Sequence, residues 1–381
     1  MPALILGLGY LGAALAARLL ARGDTVVGLD NGFATDWPAL ERLAARADGR
    51  LRLIGGDVRD AAAVDGAFAA ARPIEVVFLL AAQASAHPAA APPEYTEETN
   101  LRGPRVVFDA AVRHGSPPVV YASSFHIYGG SLAGQVDERR PYGAVRDLAH
   151  LSKIYAEKLG EMYATVHGLP VAPVRLGVVY GLGPVTKRDL RFVTVPHAFC
   201  LRALAGSPLE VHPSGTGPIA FVHLEDAVEA LRLAGSSAAR GGRHQWRGPL
   251  VAAPLAGSGY APANAAAEVA TALDVARYVT RAAAAIGLDV PVHVRSPGAG
   301  APSPTRVPAS GSARGAPQEP APLVAGPITP DGAATRLPAG ETGPAFRPVS
   351  RLAAAGWRPR PRLAGTVPQI LEYYASGGAA A

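Results

Sequence analysis

The sequence predicts an α/β fold: a doubly wound parallel sheet with a smaller C-terminal α/β substrate-binding region beside it. Three observations predict it. Short apolar runs recur along the first part of the chain without alternating, as expected of strands covered on both faces. A helical pattern separates most runs from the next, and strand–helix alternation builds a parallel sheet. The first run leads directly into Gly7, Gly9 and Gly12, a tight turn between strand and helix.

In order, Ala3–Leu6 reads as the first strand and Ala13–Arg22 as a helix that stops at Gly23. Strands follow at Thr25–Leu29, Leu51–Ile54, Val76–Leu80 and Val119–Ala122, with helical patterns between them at Trp37–Ala47, Ala61–Ala70 and Asn100–His114. Leu151–Val166 has a long helical pattern, and Val171–Val179 reads as one more strand. Beyond residue 182 the order is harder to read; Glu225–Ala234 and Ala265–Ile286 have helical patterns. Ser296–Pro348 is rich in Pro, Gly and Ala with little periodicity. It reads as a flexible insertion, because it buries too little apolar surface to offset its ordering entropy. Order resumes near Phe346 and ends in a helix, Val367–Tyr374. The expected organisation is a cofactor domain over 1–181, to which the chain returns later, and a mainly substrate-binding region over 182–295. The insertion over 296–348 and a final substrate-domain segment over 349–381 complete it.

With 381 residues, 49% hydrophobic and 17% charged, the chain can pack a sizeable core. A single cysteine, Cys200, allows no intrachain disulfide and suits a reducing compartment. The net charge of +6 is carried almost wholly by arginine, since lysine occurs only at Lys153, Lys158 and Lys187. These charges are scattered, with no basic stripe of the kind that reads nucleic acid. The apolar N-terminus lacks the charged start of a secretory signal, and no apolar run is long enough to span a membrane. A cytoplasmic protein that engages neither membrane nor nucleic acid is expected.

Gly7, Gly9 and Gly12 form a Gly-x-Gly-x-x-Gly turn. Such a turn lets a pyrophosphate approach bare backbone and offers it the N–H groups of the following helix. The second strand ends in Asp30-Asn31, where a carboxylate accepts from the adenosine ribose hydroxyls and repels a 2′-phosphate. That favours NAD over NADP in a Rossmann-type site, although a strand-end turn residue would also explain Asp30. Asp57 and Val58 close the third strand; Asp57 suits either an adenine contact or a helix N-cap.

These features lie in stretches that resemble the extended short-chain dehydrogenase/reductase family, the nucleotide-sugar epimerases and dehydratases. The matching stretches are Leu4–Leu15, Val27–Asn31, Gly55–Asp60, Val77–Ser85, Tyr95–Arg113, Val119–Gly129 and Leu151–Gly181, with weaker matches at Pro208–Asp226 and Ala354–Tyr373. The resemblance implies a nucleotide-sugar substrate, a homodimer formed through a helix bundle that includes Leu151–Val166, and NAD held along Gly7, Gly9, Tyr10, Leu11 and Gly12. It also implies cofactor contacts from Asp30, Asn31, Asp57, Val58, Leu80, Ala81, Ala82, Asn100, Ser123 and Lys153.

The family's hydride chemistry uses a Ser or Thr, a Tyr and a Lys. Ser124 matches the first and Lys153 the last, but the Tyr position holds Ala149. Alanine exchanges no proton. His126, where dehydratases of this family keep a Glu, and Tyr142 are the preferred replacements. His150 is a third, expected to point away. Gly177 stands where the resemblance puts a substrate-binding Asn, and Ile219 where it puts a diphosphate-clamping Arg. Lys187, Arg188 and Arg191 are the candidate replacement charges. Three functions remain open: an epimerase or dehydratase of a nucleotide-linked sugar, an NAD-dependent oxidoreductase of a non-nucleotide alcohol or ketone, and a non-catalytic NAD-binding protein.

Overall fold

The computed structural model describes residues 1–84, 92–130, 132–145, 147–186, 192–212, 217–239, 259–295, 346–360 and 362–377. The chain begins β1 (Pro2–Leu6), α1 (Tyr10–Ala21), β2 (Thr25–Asp30), α2 (Trp37–Ala45), β3 (Leu51–Gly55), α3 (Ala61–Ala70) and β4 (Val76–Leu79). It continues α4 (Pro93–Glu97), a π-helical turn (Glu98–Arg102), α5 (Gly103–Arg113), β5 (Val119–Ser124), a short 3-10 turn (Phe125–Tyr128), β6 (Gly134–Val136) and α6 (Leu148–His167). Then come β7 (Val171–Leu176), β8 (Val178–Tyr180), α7 (Val195–Leu204), β9 (Leu209–Val211), β10 (Ile219–His223) and α8 (Leu224–Ala239). The last elements are β11 (Ala263–Ala265), β12 (Glu268–Ala270), α9 (Ala272–Ala285), β13 (Val292–Val294), β14 (Phe346–Pro348) and α10 (Leu363–Ala375).

Seven strands form one parallel sheet in the order β11-β7-β5-β4-β1-β2-β3. This is the doubly wound architecture the sequence predicts. Alternate residues of β1 serve opposite faces: Ala3 and Ile5 join the apolar cluster under α1 and α8, while Leu4 and Leu6 join the one under α3 and α5. Both faces are covered, so these strands read as unbroken apolar runs. Winding reverses between β1 and β4, and a crevice opens there at the carboxyl ends of the strands. A third apolar cluster joins α7, α9 and α10 to the smaller sheet β12-β10-β8.

The sequence reading needs three corrections. Val171–Val179 is two strands, because Gly177 bends the chain out of the large sheet. A Cβ there would stand 2.8 Å from the Ala220 carbonyl oxygen, so no other residue fits this crossing. Ala265–Ile286 is not one helix; its first residues give β11 and β12, and α9 starts only at the Thr271 capping box. Short alanine-rich runs do not separate strand from helix by periodicity. The chain also returns to the large sheet after residue 182, where β11 joins it and α8 packs against it. Of the insertion 296–348, residues 296–345 lie outside the described residues, and its end, Phe346–Pro348, is a strand paired with β6.

Beneath the crevice lies a buried ion pair. Arg175 Nη2 of β7 donates to Glu157 Oε2 of α6 at 2.7 Å, with the two side chains 4% and 0% exposed. Ser123, Tyr142 and Tyr260 also donate to the Glu157 carboxylate. Burial alone would lower the Arg175 pKa, but Glu157 outweighs it and raises that pKa. Glu157→Ala would leave the buried Arg175 charge without its counter-charge, with only Tyr128 and the Glu138 carbonyl as hydrogen-bond partners among the described residues. An equilibrium urea denaturation should show a loss of about 3–5 kcal/mol; a loss below about 1 kcal/mol would show that the pair does not anchor α6.

Candidate functional site

A cleft of about 480 Å³ runs across the crevice from the β2 end to α7. Its cofactor side is the turn between β1 and α1. Gly7 has φ +99°, and a Cβ on it would stand 2.4 Å from the Ala81 nitrogen. A Cβ on Gly12 would stand 2.0 Å from the Gly7 carbonyl oxygen. Gly9 meets nothing closer than Thr35 Oγ1 at 3.7 Å, which leaves its backbone bare toward the cleft. The N–H groups of the first α1 turn have no partner within the helix, so this end can receive an anion.

Asp30 is buried at the end of β2 and accepts from Leu8 N–H at 2.6 Å and Gly32 N–H at 2.8 Å. Asn31 donates to Asp57 at 2.8 Å, and Arg59 donates to both Asp57 oxygens. Partial burial works against the Asp57 charge, yet the hydrogen bonds from Arg59 and Asn31 outweigh it and hold its pKa at about 2. The rim beside this end is aromatic: Phe33 stacks on Tyr95 at 4.6 Å and meets Phe192 edge-on at 5.9 Å. None of these three was expected at the cleft, since isolated aromatic residues in loops and a short helix carry no pattern.

Of the residues expected to hold the cofactor, Gly7, Gly9, Tyr10, Leu11, Gly12, Asp30, Asn31, Val58, Leu80, Ala81, Ala82, Ser123 and Lys153 line the cleft. Asp57 and Asn100 do not. The Asn100 side chain is turned inward, bonded to the Gln83 backbone and to Ser152. Its neighbour Thr99 lines the cleft, and Thr99 Oγ1 is buried without a hydrogen-bond partner among the described residues. A π-helical turn widens the helix at this point and changes which neighbour faces the cleft, a shift that residue types do not reveal. The bare glycine backbone, the strand-end carboxylate and an orphan hydroxyl form a donor and acceptor set suited to a dinucleotide.

The chemical wall lies on β5, the turn after it and α6. Lys153 is buried and donates to the Ala122 carbonyl at 2.8 Å, with its ammonium 4.8 Å from the Tyr121 ring centre. Burial pushes its pKa down to about 8, against the pull of Glu157. Ser124 Oγ accepts from His126 N–H at 3.2 Å and lies 3.4 Å from His126 Nδ1. Ala149 lines the same wall. His126 is exposed to the cleft mouth, yet protein surrounds it at longer range. That surrounding protein, and then the charge on His150, lower its pKa, while Asp147 acts the other way. Solvent access weakens the shift without changing its direction.

Two expectations about this wall are corrected. Tyr142 is not in the cleft: its hydroxyl donates to Glu157 at 3.0 Å, and burial, then Glu157, raise its pKa. His150 does not point away. It lines the cleft, with its ring 4.7 Å from that of His126. The Asp147 cap turns its side chain at the helix start, where ideal helix directions mislead.

The substrate side is formed by Gly177, Val178, Val179, Phe192, Val193, Thr194 and His197. Ile219 starts β10 and is not on the cleft lining. Lys187, Arg188 and Arg191 lie outside the described residues. Among the described residues, Lys153 is the only lysine or arginine lining the cleft.

The sequence model of the NAD dependent epimerase/dehydratase family matches residues 3–246. The chain belongs to this family, and NAD is its cofactor. A UDP-N-acetyl-alpha-D-glucosaminuronate decarboxylase from Bacillus cytotoxicus is 32% identical over 228 residues, 59% of this chain and 67% of that one. A UDP-glucose 4-epimerase from Mycolicibacterium smegmatis is 29% identical over 236 residues, 62% of this chain and 73% of that one. A UDP-glucose 4-epimerase from Thermotoga maritima, solved with UDP-glucose, shares the fold with a TM-score of 0.70. It is 18% identical, and the match covers 99% of each chain. No helix among the described residues is long and apolar enough to cross a membrane.

Gly12→Ala forces the turn and α1 apart by its 2.0 Å clash. The purified variant should lose bound NAD by at least about tenfold relative to the parent, read by native mass spectrometry; equal retention would place the cofactor elsewhere.

Proposed function

We propose that this chain is an NAD-dependent enzyme acting on a nucleotide-linked sugar. It oxidises a hydroxyl transiently and then epimerises or dehydrates the sugar, and a histidine moves the proton that a tyrosine moves in its relatives. One observation carries this reading: Ser124, His126 and Lys153 share a wall with Ala149, beside the glycine turn. NAD, when bound, accepts a hydride from the substrate carbon and returns it.

The chain's own residues do the rest. Ser124 holds the reacting oxygen through its hydroxyl. His126, its pKa lowered, is the available base at neutral pH and accepts a proton through Nδ1. Lys153 supplies a buried positive charge and a donor for a ribose hydroxyl. The names of the two curated relatives describe enzymes of UDP-linked sugars, which supports the substrate class. The mostly apolar substrate side favours a second reading, a non-nucleotide alcohol or ketone, because no lysine or arginine lies on it among the described residues.

Lys153→Met should lower turnover by at least about a hundredfold with the fold intact by circular dichroism; retained turnover would sink the catalytic assignment. The substrate class is tested by native mass spectrometry of the NAD-loaded chain against a panel of nucleotide sugars. A sugar adduct supports the first reading. NADH consumption with a non-nucleotide ketone, and no adduct, supports the second.

We also propose a homodimer formed through α6. Leu151, Tyr155, Met162 and Val166 are exposed at spacings that set them on one stripe of that helix. Light scattering should give twice the chain mass, and Tyr155→Glu should give the single mass; a monomeric parent protein would refute this interface.

A further inference from the structure

His150 and Asp147 lie outside the glycine turn and the Ser124–Lys153 pair, yet both stand against the place where the proton moves. Asp147 caps α6, and its Oδ1 accepts the His150 N–H at 2.8 Å. Its Oδ2 lies 2.5 Å from His150 Nδ1, so one carboxylate fixes both the backbone and the ring. The ring so held lies 4.7 Å from that of His126, with the planes 36° apart. His126 Nδ1 in turn lies 3.4 Å from Ser124 Oγ. Ala149, between Asp147 and Lys153 in sequence, adds only a methyl group to this wall. The result is a continuous line from Asp147 through His150 and His126 to Ser124.

We propose that the Asp147–His150 pair is a positioning device for His126. It holds the His126 ring with Nδ1 toward the Ser124 hydroxyl and keeps that nitrogen free of a proton until the substrate releases one. This rests on the reading of His126 as the proton-transfer group. The substrate O–H passes its proton to Ser124 Oγ as the Ser124 proton moves to His126 Nδ1. With NAD bound, the C–H electron pair would pass to the cofactor as hydride as the carbonyl forms. The reverse step returns the proton by the same route. With the two rings 4.7 Å apart, a positive charge on one disfavours a positive charge on the other, so the held His150 ring opposes protonation of His126. The charged groups acting on His126 among the described residues are His150 and Asp147, both from α6.

The test reads His126 directly in the full chain. With ¹⁵N-histidine labelling, its imidazole shifts are followed from about pH 4 to about pH 9 and assigned by their loss in His126→Asn. The parent protein should titrate below the ordinary value of 6.5, with Nδ1 as the unprotonated nitrogen in the neutral form. His150→Gln removes the imidazole that opposes protonation of His126 and uncovers the Asp147 carboxylate, and both changes act upward. The His126 midpoint should therefore rise by about one pH unit, with mixed tautomers. His150→Phe keeps a ring against His126 and should give the same rise, which guards against a packing artefact in the first variant. An unmoved midpoint in both variants overturns the proposal. A moved midpoint supports it whether or not a sugar turns over; absence of turnover in the parent protein counts against the catalytic reading alone.

Discussion

The carboxylate of Glu157 ties the helix that carries the cleft's chemistry to the sheet beneath it. A buried charge without partners costs several kcal/mol, so α6 settles where Arg175, Ser123, Tyr142 and Tyr260 all reach that carboxylate. Those partners come from β7, β5, the loop before α6 and the segment leading into β11. One group thus sets the height and rotation of α6 against the carboxyl ends of two strands. Lys153, one helical turn earlier on the same face, is thereby placed against the Ala122 carbonyl. His150 and Ala149 follow from the same rotation, since they are a few residues further toward the helix start.

The other half of the site depends on close approach of backbones rather than on charge. At Gly7 and Gly12 the β1–α1 turn leaves no room for a side chain, and it lies where the sheet reverses its winding. The two halves are independent in origin. A strand order and a pair of glycines locate the dinucleotide side, while a buried ion pair locates the proton-transfer side. Their meeting at Ser123 and Ser124 on β5 puts a hydroxyl between them.

Much of this was legible in the sequence, and the exceptions have physical reasons. The strands of the large sheet up to β5 read correctly because burial on both faces leaves a run of apolar residues. Asp30 and the glycines fall at the strand end and turn where the sequence put them, because their spacing is set by one strand–turn–helix unit. Ala149 read as a gap in the wall because residues four apart on a helix share a face. Tyr142 was misplaced because nothing local says that a loop tyrosine will find a buried carboxylate on the helix that follows. Asn100 was expected at the cleft, but Thr99 lines it instead, because a π-helical turn alters the phase of a helix without altering its composition. His150 was misjudged because an N-cap carboxylate redirects a side chain that helix geometry alone would send elsewhere. In each miss a long-range or backbone effect overrode a local pattern.

Gly177 has one more consequence. It joins β7 of the large sheet directly to β8 of the small one, with no linker between them. Ala220, in the next strand of the small sheet, presses on it closely enough to exclude even a methyl group. The floor of the cleft is therefore one continuous covalent span, packed against the small sheet at its midpoint. The rim above this floor carries Phe33, Tyr95 and Phe192, so the cleft joins a backbone-bounded base to an aromatic mouth.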